Sequence, residues 1–193
     1  VWADPARSGG AERTPPHDLL AEQSALGGML LSKDAVADVI ETLRGTDFYV
    51  PKHEYIFDAI LTLYSHGEPT DVIAVTDELT KTGNLQRAGG PEYLHTLTGL
   101  VPTAANAGYY AEIVEEKSLL RQLVNAGTHV VQLGYEGEDG MEIEALVDRA
   151  QQEVFGISRN NQGEDYRGLN ASAAGLGVTA DASYKLTDRL SVA

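Results

Sequence analysis

The segment from Asn106 to Tyr135 constrains the fold more than any other, because it contains no proline and would be roughly 45 Å long as one helix. Its apolar residues come in adjacent pairs at helical spacing: Tyr109 with Tyr110, Ile113 with Val114, Leu119 with Leu120, Leu123 with Val124, and Val130 with Val131. Such pairs make an apolar stripe wider than one packing face requires. The sequence therefore predicts a long helix that buries two of its sides.

A second helix is expected after this one. The segment EGEDGME supplies an acidic turn with glycines, and IEALVDRAQQEVFGI then carries apolar residues on one face: Ile143, Leu146, Val147, Ala150, Val154 and Ile157. Two helices joined by so short a connection lie antiparallel to each other. We therefore predict an antiparallel helical hairpin over residues 105–158.

The residues before the hairpin are also predicted to be helical almost throughout. Ser32 and Asp71 can each accept a hydrogen bond from a backbone amide at the start of a helix, and Pro51 suits a first helical turn. Gly83 marks a helix end. These signals predict an all-α chain.

The first predicted helix, Leu19–Leu31, carries two adjacent glycines, and glycine inside a helix costs about 1 kcal/mol relative to alanine.

Charge and cysteine content exclude several classes of protein. The formal net charge of -15 argues against a broad nucleic-acid-binding face, which needs clustered lysine and arginine. The absence of cysteine excludes disulfides and thiolate metal sites.

The sequence has no apolar run of about 18 residues and no signal-peptide pattern, so we expect a cytoplasmic protein. Residues 1–16 are expected to be a flexible leader, and the start at Val1 indicates a fragment of a longer protein.

No catalytic or metal-binding set emerges from the sequence. The five histidines have no partner at metal-ligand spacing, so no metal site is predicted. The segment GLGVTA matches a loose dinucleotide-binding pattern without the strand and acidic residue that such a site needs. A P-loop motif is absent as well. We therefore assign this chain no catalytic residue and no cofactor.

Three long segments carry a family resemblance: PHDLLAEQSALGGMLL, DFYVPKHEYIFDAILTLYSHGEPTDVIAVTDEL and GGPEYLHTLTGLVPTAANAGYYAEIVEEKSLLRQL. Together they resemble the N-terminal domain of the bacterial replicative DNA helicase, the DnaB family, from about Pro16 to Leu169. The resemblance implies a globular helical head, residues 17–104, followed by the hairpin. It also implies that six copies form a collar as a trimer of dimers. In the family, ATP and magnesium belong to a separate motor domain, which makes the whole protein an ATP-dependent 5'-3' DNA helicase.

The resemblance also indicates sites. In the family the first helix is packed tightly within the head, so Gly27 and Gly28 would let a neighbouring helix approach closely. The implied partners are a second copy and primase, with a helicase loader as a further one, whereas DNA is contacted only through the motor domain. The residues assigned to the oligomer interface are Tyr110, Ile113, Leu120, Leu123, Val124, Val131, Val147 and Val154. The residues assigned to partner docking are Glu115, Glu116, Lys117 and Arg121. Their residue types and spacing alone predict a solvated charged face of the helix.

Residues 159–193 depart from the family after a linker-like start, EDYRGL. Alternation from Val178 to Leu186 is typical of a strand, but an isolated hairpin of this size is marginal in water. We expect an atypical, disordered or foreign tail.

Three alternatives to the helicase interpretation are the helicase-binding domain of a primase, which resembles this fold, a stand-alone helical interaction module, and a small helical enzyme. For the enzyme alternative, the sequence contains no convergent set of acid, base and nucleophile.

Overall fold

The computed structural model describes residues 14–136 and 143–161, and in these residues it contains seven α-helices and no β-strand. The predicted all-α class is confirmed. The helices are α1 (Leu19–Leu31), α2 (Lys33–Thr42), α3 (Pro51–Ser65), α4 (Val72–Lys81), α5 (Gly90–Leu100), α6 (Ala107–Glu136) and α7 (Ile143–Asn161). Residues 1–13 of the predicted leader and residues 162–193, which include the predicted strand, lie outside the described residues.

Side chains cap the helices where the sequence predicted them. The Ser32 hydroxyl accepts a hydrogen bond from the Asp34 amide at the start of α2, and the Asp71 carboxylate accepts from the amides of Ile73 and Ala74 at the start of α4. Pro51 occupies the first turn of α3. Gly83 follows α4 with a φ of 72°, in the left-handed region that favours glycine. The two caps, the proline of the first turn and the glycine stop are confirmed.

The chain divides into two compact units, and the division falls within α6, between Asn125 and Ala126. We call the part up to Asn125 the head unit and the part from Ala126 the hairpin unit. The predicted boundary lay earlier, between residues 104 and 105. It differs because the first turns of α6 bury Ala107, Ala111 and Val114 in the core of the head unit.

Helix α1 lies at the centre of the head unit and contacts α2, α3 and α5. Its apolar residues point in all directions, and Ala25, Leu26 and Met29 are completely buried. The core continues through apolar side chains of the surrounding helices, among them Ile56, Phe57, Ile60, Leu79, Leu94 and Leu97. A helix that is apolar all round has to be enclosed by others. The absence of a one-sided pattern in Leu19–Leu31 is explained by this central position.

The two glycines of α1 lie where other helices come closest to it. A Cβ atom added to Gly27 would collide with the backbone of Leu97 in α5 and lie 2.6 Å from the Cγ2 atom of Val101. A Cβ atom on Gly28 would lie 2.7 Å from that of Ala107, at the start of α6. Real Cβ contacts are not this short, so neither α5 nor the start of α6 could approach α1 so closely if these positions carried side chains.

Gly27→Ala is expected to lower the free energy of unfolding by about 1 to 3 kcal/mol, because the new methyl group meets backbone that cannot rotate away. Gly99→Ala is the matched control, since Gly99 lies in α5 and an added Cβ there meets no atom within 4 Å. That control is expected to gain up to about 1 kcal/mol from helix propensity. Urea denaturation followed by circular dichroism measures both. Equal stability of the two variants would show that the close approach is not required.

A buried polar network crosses the head unit. Glu22 of α1 and His53 of α3 are each 1% exposed, and the Glu22 carboxylate lies 2.6 Å from the His53 Nδ1 atom. The other ring nitrogen lies 2.6 Å from the hydroxyl of Tyr93, to which the Gln23 amide donates at 3.1 Å. Glu22 also accepts a hydrogen bond of 2.8 Å from the Tyr49 amide. With the His53 proton on Nδ1, every donor in this network has an acceptor.

Candidate interaction surfaces

The first five residues predicted for the oligomer interface lie on the part of α6 that belongs to the head unit. Tyr110 and Ile113 are half-buried and pack against the head core. Leu120, Leu123 and Val124 are exposed to 39%, 55% and 55%. The structure therefore uses the first two inside the head unit and leaves the other three at the surface. Their place in an interface remains a prediction.

The remaining three predicted interface residues lie in the hairpin unit. Val131 of α6 and both Val147 and Val154 of α7 are at least half exposed. The hairpin unit also exposes Tyr135, Ile143 and Phe155, at 77%, 77% and 65%. The sequence pattern assigns neither Tyr135 nor Phe155 to an interaction surface. No signal in the sequence separates them from core residues, because an aromatic residue at helical spacing is most often buried.

Within the hairpin unit a side-chain contact links α6 and α7. His129 of α6 lies 3.5 Å from the carboxylate of Glu153 in α7, and both side chains are partly exposed. An open groove of about 450 Å³ lies between the two helices. Among the residues that the structure describes, those lining it are apolar or glycine: Val130, Leu133, Gly134, Ile143, Leu146, Val147 and Ala150. Four of the six residues of the predicted hairpin face of α7 form one wall of this groove, whereas Val154 and Ile157 do not line it.

The four residues predicted for partner docking are not equivalent. Glu116 is exposed and lies 3.9 Å from Lys117, whose side chain is 30% exposed. Glu115 is half-buried. Burial raises the pKa of the Glu115 carboxyl above its ordinary value, and the negative charges of Asp47 and Glu112 raise it further. Only part of the set is therefore a freely solvated charged surface.

Arg121 is turned toward its own chain. Its guanidinium donates hydrogen bonds to the backbone carbonyl of Pro16 at 2.8 Å and to that of Asp47. The same group lies 5.8 Å from the ring of Tyr49, which stacks on His17 at 4.3 Å. The sequence predicted a solvated or partner-docking role for this residue. Arg121 is therefore not freely solvated, because it fastens the start of the described chain and the Gly45–Asp47 turn to α6. A role in partner docking stays a prediction. Sequence spacing carries no signal of these contacts.

Glu115→Gln is expected to stabilise the protein at neutral pH. Because the pKa of the Glu115 carboxyl is higher in the folded state than in the unfolded state, folding with a charged carboxylate costs free energy. This cost applies in full at pH values above the folded-state pKa. The cost disappears as pH falls, so the difference from the unmodified chain should vanish below the ordinary value of 4.5. Thermal unfolding over a pH series measures it. Glu116→Gln, at an exposed position, serves as the control and should show a smaller change.

The described residues offer neither a metal-binding cluster nor a membrane-spanning helix. Neither residues 14–136 nor 143–161 bring three histidine or carboxylate side chains together in a way that could hold a metal ion. Among the same residues, no helix is both long enough and apolar enough to cross a lipid bilayer. The features of these residues that suit recognition are thus exposed apolar surface and the groove of the hairpin unit.

Comparison with known proteins identifies the family. The family model for the DnaB-like helicase N-terminal domain matches residues 14–116. The replicative DNA helicase DnaB of Leifsonia xyli is 72% identical over 155 residues, which cover 80% of this chain and 34% of that relative. This chain therefore spans about a third of the length of that helicase.

Solved structures agree with this match. The crystal structure of the N-terminal domain of DnaB helicase from Mycobacterium tuberculosis is 60% identical, with a TM-score of 0.71, and the match covers 75% of this chain and 99% of that one. An N-terminal domain of DnaB helicase from Helicobacter pylori, described with its interactions with primase, has the same fold. It is 22% identical with a TM-score of 0.53, and the match covers 60% of this chain and 90% of that one. On the strength of the family model, the chain belongs to the DnaB-like helicase N-terminal domain family.

Proposed function

We propose that this chain is the collar domain of a hexameric replicative DNA helicase. In this role it pairs with a second copy through its hairpin helices, helps to close the ring as a trimer of dimers, and provides a docking surface for primase. Unwinding of DNA in the 5'-3' direction, with ATP and magnesium, then belongs to a motor domain of the parent protein. The chain alone has no catalytic role in this proposal, and its place is the bacterial cytoplasm, where the chromosome is replicated.

The observation that carries the proposal is the exposed apolar surface of α6 and α7. Leu123, Val124, Val131, Val147 and Val154 are all at least half exposed. Complete burial of one such side chain is worth about 1.5 to 3 kcal/mol. Monomeric soluble proteins seldom expose so many large apolar residues on consecutive helices. A second copy is the commonest way to cover them, because two-fold pairing closes on itself.

Support for primase as a partner comes from the relatives. The Helicobacter pylori domain that shares this fold is described with its interactions with primase. A helicase loader is a further partner that the proposal allows. Direct DNA binding is not part of it, since the net charge of -15 repels phosphates.

The proposal is tested by titrating the full chain with primase from the same genome and following complex formation by size-exclusion chromatography. A complex is expected to form at micromolar concentration. A chain that pairs with itself but shows no complex with primase at about 100 µM, corresponding to a binding free energy weaker than about -5.5 kcal/mol, would instead be a stand-alone helical module. The other interpretation, a helicase-binding domain of primase, is disfavoured because the family model that matches is that of the helicase.

A further inference from the structure

His53 is a buried titratable side chain that the proposed function does not use. It lies in α3, is 1% exposed, and has a polar neighbour at 2.6 Å from each of its ring nitrogens. One neighbour is the Glu22 carboxylate and the other is the Tyr93 hydroxyl. Histidine is the side chain whose charge ordinarily changes between about pH 5 and about pH 8. Proton uptake by this ring is therefore linked to the hydrogen bonds that it makes.

The Glu22 carboxylate keeps one proton of the His53 ring on Nδ1. The same carboxylate accepts hydrogen bonds from the Tyr49 amide at 2.8 Å and from the Val50 amide at 3.4 Å. Its neighbours are thus donors, and an ionised carboxylate can only accept. Nδ1 donates to Glu22 whether the ring is neutral or charged, so a change in protonation takes place at Nε2.

The hydrogen bond between Nε2 and Tyr93 runs in opposite directions in the two states of the ring. In the neutral ring Nε2 carries no proton and accepts a hydrogen bond from the Tyr93 hydroxyl. In the charged ring Nε2 donates to the Tyr93 oxygen, which also accepts a hydrogen bond of 3.1 Å from the Gln23 amide. The hydroxyl proton must then point away from both His53 and Gln23. Tyr93 is half-buried, so water or a partner can accept this proton.

The groups that face His53 in the described part of the chain differ in charge. Glu22 is the counter-ion of a charged ring. The Lys52 ammonium acts in the opposite sense, since it lies 3.4 Å from the centre of the Tyr93 ring, which stacks on the His53 ring at 5.9 Å. The Phe48 ring, at 6.2 Å, carries no charge. His53 can take up a second proton in its buried position because Glu22 remains paired with it.

We infer that His53 is a proton-dependent switch, which reverses its hydrogen bond with Tyr93 and turns the Tyr93 hydroxyl outward when the ring takes up a second proton. Before proton uptake the Tyr93 oxygen offers groups outside the chain only an acceptor. After proton uptake its O–H is a donor. The switch needs no movement of a helix, because one proton is added and one hydroxyl rotates. It is independent of the proposed self-pairing.

Nuclear magnetic resonance of the full chain tests the switch by following the His53 ring nitrogens and the Tyr93 hydroxyl proton from about pH 8 to about pH 5. At the upper end a proton on Nδ1 alone and a slowly exchanging hydroxyl proton are expected. At the lower end both ring nitrogens are expected to carry a proton, and the hydroxyl signal should disappear because its proton exchanges with water. Circular dichroism verifies that the chain stays helical. His95, which is exposed in α5, is the internal control for an ordinary ring titration.

Two variants and a control assign the signals and the counter-ion. Tyr93→Phe keeps the ring beside Lys52 and removes the hydroxyl, so it identifies the hydroxyl signal. Glu22→Gln keeps the shape of the side chain and removes its charge. The pH at which His53 takes up its second proton is expected to fall by at least about one unit in this variant. Glu116→Gln removes an exposed charge and should change that pH by less than about 0.3 unit, since solvent screens it.

Several results would overturn the switch. A proton on Nε2 at the upper end of the pH series would mean that the hydroxyl already points outward. A ring that stays neutral in the folded chain, or a chain that unfolds before the ring takes up its second proton, would show that the network cannot hold this proton. A hydroxyl signal that survives proton uptake would exclude the reversal, and equal shifts in the two glutamate variants would exclude Glu22 as the counter-ion. None of these results bears on self-association or on primase binding, so the proposed function is tested separately.

Discussion

Glu22→Ala is expected to lower the free energy of unfolding by about 3 kcal/mol. Glu22 and His53 are both buried, and removing the carboxylate leaves the His53 Nδ1 atom and the Tyr49 amide without their acceptor. Breaking a buried pair by removing one partner is far more costly than the net value of the pair, because the remaining polar group stays desolvated. Urea denaturation of the full chain, followed at the helical circular dichroism band, measures the loss.

Two variants control this prediction. Glu22→Gln keeps the shape and one acceptor oxygen, and its amide can donate to His53 Nδ1 if the ring proton moves to the other nitrogen, so a smaller loss is expected. Glu116→Ala removes an exposed carboxylate and should change stability by less than about 0.5 kcal/mol. A loss below about 1 kcal/mol for Glu22→Ala would mean that the network contributes little to the packing of α1 against α3.

Leu123→Asp is expected to shift the chain toward monomer, with a loss of about 2 to 4 kcal/mol in association free energy and no loss of helical signal. Leu123 is 55% exposed within the chain, so a carboxylate there costs the monomer little. In a paired state the same carboxylate would be buried without a partner, which is strongly unfavourable. Light scattering over a concentration series measures the shift.

Leu100→Asp is the matched control for this prediction. Leu100 is 46% exposed, close to the 55% of Leu123, but it lies in α5 and not on α6 or α7. The control is expected to keep the association constant of the unmodified chain. If Leu100→Asp dissociated the chain and Leu123→Asp left it paired, the interface would lie at the end of α5 and not on α6 and α7.

Local signals in the sequence were sufficient to place the helices. The caps Ser32 and Asp71, the proline at position 51 and the glycine stop at position 83 act within one helical turn, so no knowledge of the rest of the fold is needed to recognise them. The long helix was predicted from Asn106 to Tyr135 and runs from Ala107 to Glu136. Its paired apolar residues predicted a helix that buries two of its sides. Val114 and Leu133 are buried, whereas Leu123, Val124 and Val131 are more than half exposed, so burial of the second side remains a prediction.

Contacts between residues distant in the chain could not be predicted in this way. Glu22 precedes His53 by 31 positions, and Arg121 follows Pro16 by 105, so no periodicity links either pair. The unit boundary at Asn125 depends on which α6 residues enter the head core, as Ala107 and Val114 do, and this is decided by contacts with residues far away in the sequence. The interface residues on α6 and α7 remain predictions, because exposure shows that a surface is open and not what covers it.

Self-association of the unmodified chain tests the central claim most directly. Sedimentation equilibrium over a series from about 1 to about 100 µM is expected to report a dimer or a higher even state, since an interface with a dissociation constant near 1 µM is almost fully paired at the upper end. The expected mass is that of two, four or six chains. A chain that stays monomeric at about 100 µM would contradict pairing through the exposed surfaces of α6 and α7, and with it the proposed collar role.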